Sequence, residues 1–165
     1  MITAVTSTYK MLSKHGFADI MQNSMTGEKS LHAASFFDAG DRVSEFSADK
    51  ILETPTYLTV QTGEHKHITL LPEFLQYINH SCDPNVFFDT TNMQLTALKE
   101  IQPGDELMFF YPSSEWEMTQ SFDCFCGTSK CLHRIKGASH LSEEEAARYQ
   151  LTDFINEQLQ NRKRK

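Results

Sequence analysis

Three of the chain's four cysteines are crowded into one short segment, "CFCGTSKC", residues 124–131. Cys124 and Cys126 alternate, which brings two sulfurs to one side of an extended chain, and Gly127 lets the backbone fold round to present Cys131. A structural zinc ion needs four ligands in a tetrahedral array, so this Cys-x-Cys-x4-Cys cluster lacks one. The spacing therefore predicts a metal site whose fourth ligand lies elsewhere.

Two residues compete to be that fourth ligand. Cys82 is the remaining cysteine and lies in "YINHSCDPN", residues 77–85, so its recruitment would tie the C-terminal segment to the middle of the fold. His133 is the alternative, because it follows Cys131 by two positions. Four unrelated buried thiols are the remaining interpretation. In a reducing compartment, cysteines at this spacing more often bind metal or do chemistry.

Composition narrows the class of protein. A chain of 165 residues with 39% hydrophobic residues fits one compact domain. Its net charge of -7 argues against direct nucleic-acid binding and suits a basic partner better. No apolar run reaches the ~20 residues of a membrane helix, and the N-terminus lacks a signal-peptide pattern. We expect an intracellular protein that does not bind membranes.

Short turned strands dominate the middle of the sequence. "SFFDAGDRVSEF" (35–46) has an apolar pair, an Ala-Gly-Asp turn and a returning strand, and "LKEIQPGDELMFFY" (98–111) repeats that outline around a Pro-Gly-Asp turn. "TYLTVQTG" (56–63) is rich in β-branched residues, and "NMQLTAL" (92–98) alternates apolar and polar residues, so both predict strands. "LLPEFLQYI" (70–78) predicts a short helix with proline in its first turn.

The two ends of the chain differ in their signals. Residues 1–30 are polar and weakly periodic, which predicts short strands and loops. Ser142 and Glu145 form a capping-box pattern before a helical stretch that breaks near Thr152. The final "NRKRK" (161–165) is expected to be a frayed, solvated tail, with a role in localisation or substrate steering as the alternative.

Four segments in order carry a resemblance. "GEKSLHAASFFDAGDRV" (27–43), "NHSCDPN" (79–85), "GDELMFFY" (104–111) and "CFCGTSKC" resemble the SET-domain protein lysine methyltransferases followed by a post-SET zinc segment. The resemblance implies a mainly β fold of small curved sheets, with short helices, a C-terminal helical segment and a pseudoknot threaded by the second of these segments. It also implies four parts: residues 1–26 as strands and loops, 27–117 as the SET domain, 118–137 as the zinc segment and 138–165 as C-terminal helices with the basic tail.

The resemblance further implies S-adenosylmethionine-dependent methylation of a protein lysine, with a histone tail as one candidate substrate and a nuclear location if the source is eukaryotic. The implied cofactor residues are Lys29, Ser30, Leu31, Tyr57, Asn79 and His80, with His80 engaged through its backbone. Tyr111 is the implied catalytic residue, and Phe109 the implied determinant of methylation number. The implied ligands of one structural zinc are Cys82, Cys124, Cys126 and Cys131, which favours Cys82 over His133.

The chemistry of methyl transfer explains why such residues suffice. The reaction is an in-line displacement that needs alignment and a neutral amine. Lysine has a pKa of ~10.4, and a desolvated channel disfavours its charged form. Tyr111 can orient the amine through its hydroxyl. Phe109 has no hydroxyl to hold a water beside the amine, which leaves room for methyl groups and predicts di- or trimethylation.

Two departures from the family pattern keep another interpretation open. Glu28-Lys29-Ser30 replaces a Gly-x-Gly in the first cofactor strand, and Phe110 occupies a position where aspartate is common. The alternative is a catalytically inactive, zinc-stabilised module that binds a peptide or the cofactor. A metal-sensing or redox protein is a third and remoter possibility.

Overall fold

A computed structural model describes residues 8–165 as a set of small sheets with helices at the C-terminus. The strands are β1 (Tyr9–Lys14), β2 (Ala18–Asn23), β3 (Lys29–Ala33), β4 (Arg42–Glu45), β5 (Ser47–Leu52), β6 (Val60–Gly63), β7 (Lys66–Leu71), β8 (Asn79–His80), β9 (Val86–Asp89), β10 (Gln94–Ala97), β11 (Met108–Phe109), β12 (Phe122–Asp123) and β13 (Arg134–Ile135). The helices are α1 (Glu143–Ala147) and α2 (Asp153–Lys163), with 3₁₀ helices at Glu73–Tyr77, Tyr111–Ser113 and Ala138–His140. The mainly β prediction is confirmed.

Three antiparallel sheets of three strands surround the centre, in the orders β1-β2-β3, β4-β10-β9 and β5-β7-β6. Two smaller pairs join distant parts of the chain: β8 with β11 in parallel, and β12 with β13 antiparallel. The buried apolar side chains between the sheets form one core that includes Leu31, Ile68, Leu95, Ile101 and Leu107. Alternation predicted the inward positions of β10, where Leu95 and Ala97 are buried.

The two turned segments share one turn geometry. In the first, the Asp41 carboxylate accepts a hydrogen bond from the backbone N–H of Asp38 at 2.8 Å. In the second, the Asp105 carboxylate accepts from the backbone N–H of Gln102, also at 2.8 Å. Gly40 has a positive φ in the first turn, and Gly104 has one at the same place in the second. The similarity between these two segments in sequence therefore reflects a repeated turn.

The strands around these turns are shorter than predicted. Before the first turn, Phe37 of the apolar pair forms only a bridge with Ile101, through hydrogen bonds of 3.0 and 2.9 Å. In "TYLTVQTG" the strand begins at Val60, because Thr56 and Thr59 close a turn through side-chain and backbone hydrogen bonds. The side chain hydroxyl thus competes with strand formation at this point.

The predicted short helix at 70–78 is confirmed as a 3₁₀ helix. The backbone N–H of Leu75 donates to the carbonyl of Pro72, and that of Ile78 donates to Leu75, each at 3.2 Å. Leu75 and Ile78 are buried in the core, which anchors one face of this turn. The helix delivers the chain directly into β8.

The C-terminal helices are confirmed, including the capping box of Ser142 and Glu145 and the break, where Thr152 caps α2. The expected frayed tail is wrong for its first part, because α2 continues to Lys163 and Arg162 donates a hydrogen bond to the Ser139 carbonyl at 2.8 Å. The predicted strands over residues 1–30 are confirmed from β1 onward, whereas residues 1–7 lie outside the described part. No helix among residues 8–165 is long and apolar enough to cross a bilayer.

Candidate functional site

The pairing of β8 with β11 brings two of the sequence motifs together. Asn79 lies opposite Met108 and His80 opposite Phe109. Asn85 extends the junction, since its backbone N–H donates to the Met108 carbonyl at 3.1 Å. Residues 79–85 and 104–111 are therefore held side by side. Threading of the first segment as a pseudoknot stays a prediction.

Tyr111 follows this junction and opens a 3₁₀ helix. Its backbone N–H donates to Nδ1 of His80 at 3.1 Å. Burial, together with the charges of Glu115 and Glu106, raises the pKa of Tyr111 to about 12. Its hydroxyl therefore stays protonated at neutral pH and acts as a hydrogen-bond donor or acceptor.

His80 connects Tyr111 to the cysteines. Burial lowers the pKa of His80 to about 4, so the imidazole is neutral. Because Nδ1 accepts from Tyr111, Nε2 carries the proton, and Nε2 lies 3.4 Å from Sγ of Cys82. The predicted role of His80 was a backbone contact with the cofactor. Its ring has this structural function in addition, which the sequence did not indicate.

A cavity of about 670 Å³ lies beside Tyr111. Much of its lining is apolar and aromatic, including Leu58, Leu70, Phe88, Phe109 and Phe122. Glu115 and Glu117 contribute two carboxylates, and no described residue that lines the cavity is Lys, Arg or His. Such a lining suits a chain that is apolar along its length and cationic at its end.

Glu115 lines this cavity and is a candidate functional residue that the sequence patterns did not single out. Its Oε2 accepts hydrogen bonds from the backbone N–H of Gln61 at 3.0 Å and from the Ser114 hydroxyl at 2.6 Å. Burial raises the pKa of Glu115 to about 7, although these hydrogen bonds oppose the shift. The available signal was an acidic residue four positions after Tyr111, inside the otherwise neutral run "FFYPSSEW".

Three of the predicted cofactor residues lie away from this cavity, on β3. Lys29 is exposed, and its ammonium lies 5.3 Å from the centre of the Tyr77 ring. Ser30 is buried with its hydroxyl 2.8 Å from His32, and Leu31 is fully buried in the core. The structure thus brings only the first of these three to the surface.

Asn79 joins Lys29 to a carboxylate. The amide Nδ2 of Asn79 donates to the Lys29 carbonyl at 3.0 Å and lies 3.4 Å from Oε1 of Glu106. The Asn79 amide is therefore tied to the backbone of Lys29 and to the Glu106 carboxylate, while the Lys29 ammonium lies over the Tyr77 ring. Tyr57 lies elsewhere: it lines the Tyr111 cavity and is 91% exposed, which excludes a core position.

The four cysteines form the second centre. Their Sγ atoms all lie within 4.8 Å of one another, and those of Cys82 and Cys124 are 3.8 Å apart. A tetrahedron with Zn–S bonds of ~2.3 Å has edges of about 3.8 Å, so the donor set fits zinc. His133 is exposed and uses its carbonyl to accept from the backbone N–H of Cys124 at 2.7 Å. Gly127 has a positive φ of 73°, as the local fold-back requires.

The thiols differ in their acidity. Burial raises the pKa of Cys82 well above its usual range and that of Cys124 to about 11. Burial also acts to raise the pKa of Cys126, but hydrogen bonds with Thr128, Cys82 and Cys124 together outweigh it and lower the pKa of this thiol.

The cysteine segment also touches the cavity. The ring of Phe122 lies 5.5 Å from that of His80 and 5.8 Å from that of Tyr111, and it forms part of the cavity wall. From the other side, Tyr149 stacks on Phe110 with ring centres 3.7 Å apart. Phe110, at the position where aspartate was expected from the family, thus packs against the C-terminal segment.

Part of this chain is similar to known proteins. The family profile of the SET domain matches residues 28–112, from the start of β3 to the turn that holds Tyr111. It ends before the cysteine segment. The chain is similar to methyltransferase flvH of Aspergillus flavus, with 41% identity over 106 residues that span 63% of this chain and 59% of that protein.

More distant relatives are larger proteins. Similarity to the H3 lysine-36 specific histone-lysine N-methyltransferase of Candida albicans is 34% over 68 residues, 38% of this chain and 8% of that protein. The chain spans less than two thirds of the length of both relatives. Among solved structures, the methyltransferase domain of human histone-lysine N-methyltransferase SETMAR aligns with 78% of this chain and 58% of that chain, at 16% identity and a TM-score of 0.49.

Proposed function

Because the chain belongs to the SET-domain family, we propose that it transfers methyl groups from S-adenosylmethionine to a lysine side chain of a protein. The observation that carries this proposal is the cavity beside Tyr111. Its walls are largely apolar, and among the described residues that line it there are two carboxylates and no Lys, Arg or His. A lysine side chain is complementary to this cavity, because its four methylenes suit the apolar walls and its terminal ammonium suits the carboxylates.

The face formed by Lys29, Asn79 and Glu106 is the proposed cofactor site. S-adenosylmethionine supplies an activated methyl group and ends in an amino acid with one carboxylate and one ammonium. Lys29 suits the carboxylate and Glu106 suits the ammonium, whereas Asn79 holds both residues in place through its amide. Ser30, Leu31 and His80 lie on the same strands, β3 and β8, and are proposed as its supporting residues. Tyr57 is proposed to contact the substrate in addition to the cofactor, because it lines the cavity.

Tyr111 is the proposed catalytic residue. Its hydroxyl is protonated at neutral pH because its pKa is about 12. It can therefore hydrogen-bond the reacting amine and fix the direction of the lone pair. The Tyr111 backbone N–H donates to His80, and this hydrogen bond holds the Tyr111 backbone in place.

Phe109 is proposed to set the number of methyl groups. Its ring lies 4.7 Å from that of Tyr111 and 4.8 Å from that of Phe88, and it forms part of the cavity wall. An apolar wall here binds no water beside the amine and leaves space for methyl groups. This favours di- or trimethylated lysine as the product.

The cysteine segment is proposed to hold one structural zinc ion and to close the cavity. Cys82, Cys124, Cys126 and Cys131 supply the four thiolates. The same proposal divides the chain into the SET domain (27–117), the zinc segment (118–137) and the C-terminal helices with the basic tail (138–165). The substrate is proposed to be basic, such as a histone tail, because the net charge of the protein is -7 and one relative is a histone-lysine methyltransferase.

The test incubates purified protein with labelled S-adenosylmethionine and either core histones or a cell lysate, beside a Tyr111→Phe variant. We expect label on lysine in the wild-type reaction and a loss of about 100-fold in the variant. Cofactor binding without transfer to any lysine would instead identify an inactive binding module. If neither binding nor transfer occurs, the enzyme proposal fails.

A further inference from the structure

Glu115 lies beyond the family match, which ends at residue 112, and yet it shares a cavity with Tyr111. The backbone N–H groups of Ser114 and Glu115 both donate to the Tyr111 carbonyl, at 3.2 and 3.0 Å. This tight turn fixes the Glu115 side chain relative to the Tyr111 ring. Glu115 is therefore placed by the same turn that places the proposed catalytic hydroxyl.

The carboxylate is held at one oxygen and open at the other. Both hydrogen bonds from Gln61 and Ser114 end on Oε2. No hydrogen bond from residues 8–165 ends on Oε1. Gln61 is itself fixed, since its Oε1 accepts from the backbone N–H of Trp116 at 2.9 Å. A partly buried carboxylate held in this way has one oxygen left for a ligand.

The second carboxylate of the cavity differs in this respect. Glu117 is exposed and already accepts hydrogen bonds from the Ser139 hydroxyl and from His140, whose Nε2 lies 3.1 Å away. Glu115 accepts no hydrogen bond from a Lys, Arg or His side chain among the described residues. A buried anion without a cation is costly, and a cationic ligand would lower that cost.

We propose that Glu115 binds the ammonium of the substrate lysine and accepts one of its protons before methyl transfer. In this step an N–H bond breaks, its electron pair stays on nitrogen, and a new O–H bond forms on the carboxylate. The proton then passes to solvent. The inference rests on the proposed function, because it takes lysine as the substrate.

The acidity of the two groups suits this exchange. The pKa of Glu115 is raised to about 7 by burial. A buried lysine loses several units from its usual pKa of ~10.4, so the two pKa values approach each other in the cavity. The other titratable residues that line the cavity are Tyr57, Tyr111 and Glu117. The Glu115 carboxylate itself accepts hydrogen bonds from the neutral Gln61 of β6 and from Ser114. Glu117 is a weaker base than Glu115, because its hydrogen bonds with Ser139 and His140 lower its pKa although partial burial opposes this shift.

The test compares Glu115→Gln with wild type in methyl transfer to a histone H3 peptide that contains lysine 36, between pH 6 and 9.5. Glutamine keeps the size of the side chain and an oxygen that can accept from Gln61. We expect the wild-type rate to rise as pH passes about 7, and the variant to be about 100-fold slower at pH 7.5. The deficit should shrink as pH approaches the lysine pKa of ~10.4.

A purely structural role predicts a different pattern, namely an equal loss at every pH together with a lower thermal midpoint. That pattern, or an unchanged rate, would overturn the proposal. Glu144→Gln is the matched control, because Glu144 lies on α1 and its side chain is 84% exposed. It should leave the pH profile unchanged.

A second measurement separates this inference from the proposed function. Butylammonium, a stand-in for the end of a lysine side chain, and neutral butanol are titrated into the protein while NMR signals of cavity methyl groups are followed. Wild type should prefer butylammonium by about tenfold, and Glu115→Gln should lose the preference. Equal preference in both proteins overturns the role of Glu115 even if transfer to lysine is observed. An absence of transfer to lysine, with this preference intact, overturns the enzyme proposal instead.

Discussion

The centre around Tyr111 and the centre around the cysteines are stabilised in different ways. The first lies on a core of buried aliphatic and aromatic side chains contributed by several sheets. The second has a small core of its own, in which Cys82, Cys124 and Ile135 are the buried members. A core of this size offsets little of the entropy lost when the segment becomes ordered, and the four cysteine sulfurs lie within 4.8 Å of one another at the same place. The difference indicates that the first centre can fold by burial alone, whereas the second is the part that the proposed zinc ion would stabilise.

Removal of the metal should produce the largest effect. Structural zinc contributes about 10–16 kcal/mol in small metal-binding peptides. We therefore expect chelation, or Cys124→Ser, to abolish hydrogen-exchange protection over residues 118–137 and to abolish activity. The sheet β4-β10-β9 should keep its protection. Uniform loss across all sheets would show that the two centres are not independent.

A substitution in the apolar core should destabilise the protein by an amount that does not depend on the metal ion. Leu95 is fully buried, and Leu95→Ala is expected to cost about 2–5 kcal/mol of unfolding free energy. Urea denaturation with and without a chelator is the measurement. The loss should be similar in both conditions, because the residue belongs to the metal-independent region. A loss that disappears in chelator would contradict the division.

The contact between the C-terminal segment and the cysteines is smaller. Tyr149 donates a hydrogen bond from its hydroxyl to the Cys82 carbonyl at 2.8 Å. Tyr149→Phe should cost about 1 kcal/mol in thermal or urea unfolding, while the stack on Phe110 remains. Tyr149→Leu removes the stack as well and should cost about 0.5–1.5 kcal/mol more. An unchanged midpoint in both variants would rule out this contact as a stabilising link.

The smallest change concerns the products. Phe109→Tyr adds one hydroxyl to the cavity wall and should shift the product from di- or trimethyl-lysine towards monomethyl-lysine, with little change in the rate of the first transfer. Mass spectrometry of a modified peptide distinguishes these products. Monomethyl-lysine as the sole product of both proteins would remove Phe109 from the proposal.

Much of this arrangement could be predicted from local patterns. Ser142 and Glu145 predicted the start of α1, and the alternation in β10 predicted which residues face inward, because both signals depend on neighbours in sequence. The cysteine spacing predicted a cluster but left two candidates for the fourth position. Only the tertiary structure brings the Cys82 sulfur close to Cys124.

The remaining features depend on contacts between distant segments. Nothing near His80 in the sequence indicates that its ring bonds to Tyr111, which lies 31 positions later. Glu115 owes its raised pKa to burial beside Gln61, 54 positions earlier. Tyr57 read as a strand residue, whereas hydroxyl groups on either side of it close a turn and leave it exposed.

The position of Cys82 determines which parts of the chain a metal ion would connect. Cys124, Cys126 and Cys131 lie within eight residues, 124–131, whereas Cys82 lies 42 positions before Cys124 and two residues after β8, which pairs with β11. The proposed zinc ion would therefore close a long loop of the chain and act as a cross-link between the two centres, as a disulfide does in other proteins.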